Sequence, residues 1–263
     1  MSVSPPEIDL DPALYRLGEN AHGRYCVPVS SAHRIAAQCI LKGEIYEEYT
    51  LSFMMRYAGD GDIIHAGTYF GDFLPALSRA VAVGGKVWAF EPNPENYAAA
   101  AITCRLNSLH NVELTNCAVG DRSGMLKMRV RSDGRGLGGA STIIGEGASV
   151  PEADVADIAV RRIDDVVPRS RRISLLQLDL EGFERPALEG AIETIAAWRP
   201  IILLETLPTE WYAQALAPLG YRLRGELHDN TVLSVMPVRL DARSLLRRLA
   251  DRASARLYAL RQR

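Results

Sequence analysis

Between residues 62 and 206 the chain alternates short, almost wholly apolar runs with longer stretches in which apolar residues recur every three or four positions. The runs "DIIHAG" (62–67), "KVWAFE" (86–91), "NVELTNCAV" (111–119), "ISLLQLDL" (173–180) and "PIILLET" (200–206) are short and bounded by turn-forming residues, so each predicts a strand. The stretches between them predict helices, from about Asp72 to Val83, from about Pro94 to Leu106, over "EGFERPALEGAIETIAAW" (181–198) and over "TEWYAQALAPLG" (209–220). Strands apolar on both sides, alternating with helices, specify an α/β fold: a mostly parallel sheet with helices on both faces. "YRLRGELH" (221–228) and "NTVLSVMPV" (230–238) then predict a closing antiparallel strand pair.

Outside this alternation the pattern changes. "AHRIAAQCILKG" (32–43) and "YEEYTLSFMMRYAG" (46–59) predict two cover helices, each stopped by a glycine placed as a C-cap. Residues 1 to about 20, rich in Pro and Asp, predict a loosely attached leader. Within residues 124–167 two strand-like pieces flank a glycine-rich, non-periodic stretch, which predicts a functional loop or disorder. Residues 239–263 carry Leu246, Leu249, Ala253, Leu257 and Leu260 at helical spacing, with eight arginines against two aspartates. That tail predicts a helix docked on its own domain or on a partner, with weak membrane-surface contact as the alternative. The expected division is therefore 1–58 leader and cover helices, 59–238 main domain, 239–263 arginine-rich helix.

Composition narrows the class. A 48% hydrophobic and 24% charged chain of 263 residues suits one sizeable globular domain. A net charge of -2 offers no global attraction to nucleic acid, and no apolar run reaches the roughly 20 residues that span a bilayer. The start shows no secretory signal pattern, so a cytoplasmic location is expected. Cys26, Cys39, Cys104 and Cys117 lack Cys-x-x-Cys spacing and are expected as free thiols.

Candidate chemistry begins at the first predicted strand. Gly67 and Gly71 form G-x-x-x-G after "DIIHA", not the G-x-G-x-x-G of a dinucleotide cradle. Glu91, 24 positions after Gly67 and at the tip of the next strand, is placed to accept hydrogen bonds from both hydroxyls of a ribose. A glycine turn plus a ribose-binding acid, without a phosphate loop, suits S-adenosyl-L-methionine. Pro92, which ends that strand, supports this over a merely solvated carboxylate.

"HAGTYFGDF", "VWAFEPNPENY", "NVELTNCAVGD", "RRIDDVV", "LLQLDLEGFERPALEGA" and "RPIILLE", in that order over roughly residues 60–206, resemble the FkbM family of S-adenosylmethionine-dependent methyltransferases. "LDLEGFE" after "EPNPENY" is the most specific combination. The resemblance implies a Rossmann-like class I methyltransferase fold and transfer of a methyl group to a hydroxyl of a sugar, glycolipid or other natural product. Carried over by position, it implies that Gly67 and Gly71 flank the methionine part of the cofactor, that Glu91 holds the ribose, and that Thr68, Tyr69 and Asp72 line the same turn. It also implies that Asn116 to Ala118 lies beside the adenine and that Asp179 and Glu181 face the sulfonium and the acceptor. His65 departs from the family, where many members carry aspartate, and Thr68 and Tyr69 replace an Ala-Asn pair. A neutral His65 accepts a hydrogen bond from the cofactor's ammonium, a protonated one repels it, and a third reading has it simply packed at the strand end.

Asp179 is the candidate for taking the acceptor's proton, with Glu181 sharing the task. Two alternatives stay open: the pair as a divalent metal site, or Asp179 orienting cofactor and backbone while Glu181 caps the next helix. His33, His228 and Glu205 are lesser candidates, and Ser141 and Thr142 of "GRGLGGASTI" are placed to bind a polyol from a mobile loop. Competing functions are an NAD-dependent oxidoreductase on a similar sheet, which needs the missing third glycine, and a scaffold that has lost catalysis.

Overall fold

The structure, a computed structural model, describes residues 10–145 and 147–240. In chain order its elements begin with β1 (Tyr15–Asn20), β2 (Gly23–Pro28), α1 (Ile35–Leu41), α2 (Glu48–Tyr57), β3 (Asp62–Ala66), α3 (Leu74–Ala80), β4 (Val87–Phe90) and α4 (Pro94–Leu106). There follow β5 (Val112–Thr115), β6 (Ala118–Val119), β7 (Gly124–Arg129), β8 (Arg131–Ser132), β9 (Arg135–Gly136), β10 (Thr142–Ile143), β11 (Val155–Arg161) and α5 (Ile163–Val166). The last are β12 (Ile173–Leu178), α6 (Glu184–Glu189), α7 (Ile192–Trp198), β13 (Ile201–Leu204), α8 (Thr209–Trp211), β14 (Arg222–Leu227) and β15 (Asn230–Ser234).

Seven strands form the main sheet in the order β14-β15-β13-β12-β3-β4-β5. β13, β12, β3, β4 and β5 run parallel, and β14 with β15 close one edge antiparallel, as the alternation predicts. Both faces are covered. Ile64, Ala66, Leu176, Leu178, Ile202 and Leu204 pack on α6 and α7 through Ala187, Leu188 and Ile195. Ile63, Leu175 and Leu203, one residue out of phase, pack on α2 and α3 through Leu51, Met54, Leu74 and Leu77. Each fully buried Leu or Ile contributes about 1.5–3 kcal/mol of transfer free energy, so burial on both faces stabilises this order. The fold is thus the α/β, Rossmann-like class I methyltransferase arrangement.

Local chemistry explains the boundaries. Gly43 and Gly59, past α1 and α2, have φ of 80° and 62°, the left-handed geometry expected of C-terminal glycines. α4 starts at Pro94 because the Asn93 side chain accepts from the amides of Glu95 (3.0 Å) and Asn96 (3.5 Å). The helical stretch 181–198 is divided at Gly190, where a Cβ would lie 1.9 Å from the carbonyl oxygen of Gly120.

Three regions differ from expectation. Tyr15–Asn20, inside the expected leader, pairs with β2 in a hairpin, and Gly18 lets that hairpin press on Ile40, where an added Cβ would stand 2.7 Å away. "NVELTNCAV" is split: β5 belongs to the main sheet, whereas β6 joins β10, β7 and β11 in a second, four-stranded sheet. The glycine-rich stretch holds the small β8-β9 hairpin, a turn of 3₁₀ helix over Gly138–Ala140, and β10. Residues 1–9 of the leader and 241–263 of the arginine-rich tail lie outside the described residues.

Candidate active site

The register of the main sheet aligns the candidates. Leu178 pairs with Ala66 and Leu204, Ala66 with Phe90, Phe90 with Thr115, and Leu204 with Thr231. One position beyond this row stand Glu205, Asp179, Gly67, Glu91 and Asn116, and Asn230 joins them because β15 runs the opposite way. Strand order reverses between β3 and β12, so this row crosses the topological switch point where open sheets bind ligands.

Gly67 has φ 85°, and a Cβ there would lie 1.9 Å from the Asp179 carbonyl oxygen. Its glycine is required by the neighbouring chain as much as by any ligand. Tyr69, at φ 53°, donates its amide to Glu91 Oε2 (2.7 Å) and its hydroxyl to Ser31 Oγ (2.9 Å). Thr68 is fully buried with its hydroxyl on the His65 carbonyl (3.1 Å), and Gly71 (φ 82°) faces Leu74 and Ala100. Thr68 and Gly71 therefore shape the turn, while His65, Gly67, Tyr69 and Asp72 line a cavity of about 330 Å³.

His65 sits one rung inside the row, opposite Gln177. Its Nδ1 faces Gln177 Oε1 at 2.5 Å, its ring stacks on Phe73 with centroids 5.6 Å apart, and Nε2 has no partner among the described residues. An amide oxygen only accepts, so Nδ1 carries the proton. Burial pushes the imidazole pKa down to about 4, leaving a neutral ring whose Nε2 offers a lone pair. The protonated, repelling reading does not hold.

Glu91 is held from three sides: besides Tyr69, the Asn93 amide (2.9 Å) and Asn96 Nδ2 (3.3 Å) donate to its Oε1. It stands where the larger cavity meets a smaller, more apolar one lined by Phe90, Pro92, Ala118 and Met128. Asn116 lines neither cavity; its Nδ2 donates to the carbonyls of Glu91 (2.7 Å) and Pro92 (3.2 Å) and pins that turn. The glycine-rich stretch crosses the same place as a strap. Asn96 Nδ2 (3.1 Å) and Ser141 Oγ (2.8 Å) both donate to the Gly138 carbonyl, and Asn93 Nδ2 donates to Ser141 Oγ (3.0 Å). The Ser141 hydroxyl is thereby committed to the protein, and Thr142 sits in a strand paired with Arg129, not in a free loop.

The larger cavity is acidic. Glu47, Asp72, Asp179, Glu181, Glu205 and Asp229 line it alongside Glu91, and Arg34 is its one lysine or arginine among the described residues. Burial pushes Glu47 and Glu91 up to about 7 and, with Glu47 nearby, Asp72 likewise. Asp179 is raised well above the carboxylate range by burial first and then by Glu205, which also hydrogen-bonds it. Glu181, at φ 52°, is exposed and is raised by burial of part of its surface and by Glu205. Asp179's main carboxylate partner is thus Glu205. The turn after β12 is tied by Glu184, which accepts from the Leu180 amide (3.0 Å), not by Glu181. His33 lies at the cavity lining, whereas His228 stacks on Tyr49 and bonds Thr50. Among the described residues no three His, Cys, Asp or Glu side chains are placed to hold a metal ion.

These environments set a pH dependence. Carboxyls with folded pKa values near 7 stabilise the fold fully below their ordinary values near 4.5, and this contribution is lost as pH rises through about 7. His65, depressed to about 4, acts oppositely: its contribution is complete above 6.5 and lost as pH falls toward 4. With several carboxyls against one imidazole, the ligand-free protein should lose roughly 5 °C or more of melting temperature between pH 5 and 8, given roughly 2–4 °C per kcal/mol at this size. A flat or rising melting curve across that window, measured by calorimetry, contradicts the buried-acid assignment.

The sheet order and the cleft at its switch point are those of the class I methyltransferase fold. The sequence profile of the methyltransferase FkbM domain matches residues 65–239, and the chain belongs to that family. No curated protein matches it. Among solved structures, a methyltransferase FkbM from Methylobacillus flagellatus is similar at 19% identity, covering 66% of this chain and 43% of that one, with a TM-score of 0.44. TYW2 of M. jannaschii in complex with AdoMet is similar at 13% identity over 86% of each chain (TM-score 0.45), and a putative O-methyltransferase from Klebsiella pneumoniae at 12% over 79% and 83% (TM-score 0.40). The chain spans less than half of the Methylobacillus protein. No described helix is long and apolar enough to cross a membrane.

Proposed function

We propose that the chain transfers the methyl group of S-adenosylmethionine to a hydroxyl of a small acceptor such as a sugar, glycolipid or other natural product. The observation that carries this is Glu91, fixed by three donors at the junction of an apolar and an acidic cavity. In this reading Glu91 takes the ribose hydroxyls, Ala118 and Pro92 flank the adenine, and Gly67 with Tyr69 borders the methionine. His65 Nε2, a buried acceptor without a donor, together with Asp72, suits an ammonium group, and Arg34 suits a carboxylate. Thr68, Gly71 and Asn116 act at one remove, by holding the two turns.

S-adenosylmethionine supplies a methyl group already activated by positive sulfur. The protein's part is alignment and proton removal. Asp179 shares a hydrogen bond with Glu205, and burial with Glu205 raises its pKa, so in its ionised form it is suited to take the proton of an acceptor hydroxyl. Glu181, at the rim of both cavities, borders the same space.

The acidic lining also separates this reading from a dinucleotide oxidoreductase, because pyrophosphate would meet like charge there, and it disfavours a nucleic-acid strand entering the cavity. Calorimetric titration with S-adenosylhomocysteine and with NAD, followed by transfer of labelled methyl, tests the proposal. Binding of S-adenosylhomocysteine but not NAD is expected; heat with NAD alone rejects the methyltransferase reading, and heat with neither leaves the scaffold.

A further inference from the structure

The end of the acidic cavity farthest from Glu91 lies over β13 and β15. There Glu205 follows β13 directly and Asn230 begins β15, beside the Leu204–Thr231 pair. Glu47 reaches the same end from the turn before α2, where it holds φ 46°, and Asp229 precedes Asn230. Asn230 Nδ2 donates to Glu47 Oε2 (3.0 Å), which leaves Oδ1 buried and without a partner among the described residues, on a side chain whose residue is 1% exposed. The carboxylates and Asn230 Oδ1 named here accept, and the recorded bond from the Asn230 amide nitrogen goes to Glu47. A buried acceptor left unpaired carries a desolvation cost that an incoming donor relieves.

We propose that this end is an acceptor subsite for a protonated amine, so that the hydroxyl receiving the methyl group belongs to an amino sugar or amino alcohol. The proposal rests on the methyltransferase reading, which places the cofactor over β3 and β4 and so leaves the β13-β15 side for the acceptor. A neutral polyol would satisfy Asn230 Oδ1 but would not relieve the repulsion among Glu47, Glu205 and Asp229. An ammonium does both, with up to three donors and a charge. A bare divalent ion fits less well, since no three acids are placed around one point among the described residues.

The test uses the full chain saturated with S-adenosylhomocysteine at pH 7, titrated with glucosamine and with N-acetylglucosamine, which keep the same sugar but differ in the charge on nitrogen. Glucosamine should bind about tenfold or more tighter, the scale of one charge-assisted hydrogen bond. Asp229→Asn should erase the preference while leaving S-adenosylhomocysteine affinity within about threefold, well under that scale; Glu47→Gln should erase it too, with a change in cofactor affinity besides, because Glu47 acts on Asp72. Asp229 is exposed, so its variant keeps the test usable if Glu47→Gln disturbs the fold. Equal affinities, tighter binding of the acetylated sugar, or binding of neither sugar while S-adenosylhomocysteine binds overturns the subsite. No heat with S-adenosylhomocysteine overturns the cofactor reading instead.

Discussion

Glu91→Ala is expected to weaken S-adenosylhomocysteine binding by about a hundredfold or more, close to 3 kcal/mol, because two hydrogen bonds from ribose hydroxyls to one carboxylate are lost together. The carboxylate cannot be replaced by a neighbour, since Asn93 and Asn96 present donors to it and Asn116 is committed to the backbone. Alanine also strips the acceptor from the Tyr69 and Asn93 amides, at about 1–3 kcal/mol of stability for each buried donor left unpaired. Glu91→Gln separates the two effects: its amide oxygen still accepts, so most of the stability returns while charge-assisted ribose binding does not. Burial holds Glu91 up to about 7, and ribose donors favour its ionised form, so parental affinity should rise as pH increases through that value. Calorimetry on folded Glu91→Ala giving the parental dissociation constant removes the ribose assignment.

What could be read beforehand divides along a physical line. The strand-end placement of Gly67, Glu91 and Asp179 is legible because each follows an apolar strand directly, and strand-end position in a parallel sheet is a local property of sequence. Glu47, Asp229 and Asn230 are not. They reach the cavity from a left-handed turn and from the antiparallel closing hairpin, whose placement depends on how α2 and β15 dock on the sheet. The Asp179–Glu205 pairing has the same origin: in sequence Glu181 is nearer, but β13 lies beside β12 and puts Glu205 next to Asp179. The strap over Glu91 read as a loop because glycines hide periodicity, while the bonds that hold it come from Asn93 and Asn96 on α4. β1 is hidden in the sequence because its exposed residues mask any alternation, and its seat against Ile40 at Gly18 exists only in the fold. His65 stands out in the sequence as a departure, but its neutrality follows from burial in the folded core and its tautomer from Gln177 on the adjacent strand, 112 residues later.

Asp179→Asn should lower turnover by about a hundredfold or more while leaving S-adenosylhomocysteine affinity nearly unchanged, the scale expected when a general base is removed. Asparagine is close in size, and the contact that shapes the turn at Gly67 is made by the backbone carbonyl of residue 179, so the substitution leaves the glycine turn intact. What it removes is the site that accepts a proton. The pH profile carries the diagnosis. Burial and Glu205 raise the Asp179 pKa, so parental kcat should climb as pH rises and that carboxyl ionises. Glu205→Gln withdraws a negative neighbour, lowers the Asp179 pKa and should shift the climb to lower pH with a smaller loss of rate. Asp179→Asn should abolish the climb altogether. If Asp179→Asn keeps turnover within about threefold of the parent, far short of the usual general-base contribution, and shows the same profile, Asp179 orients the site without taking the proton, and the base must be sought elsewhere along the same row of strand ends.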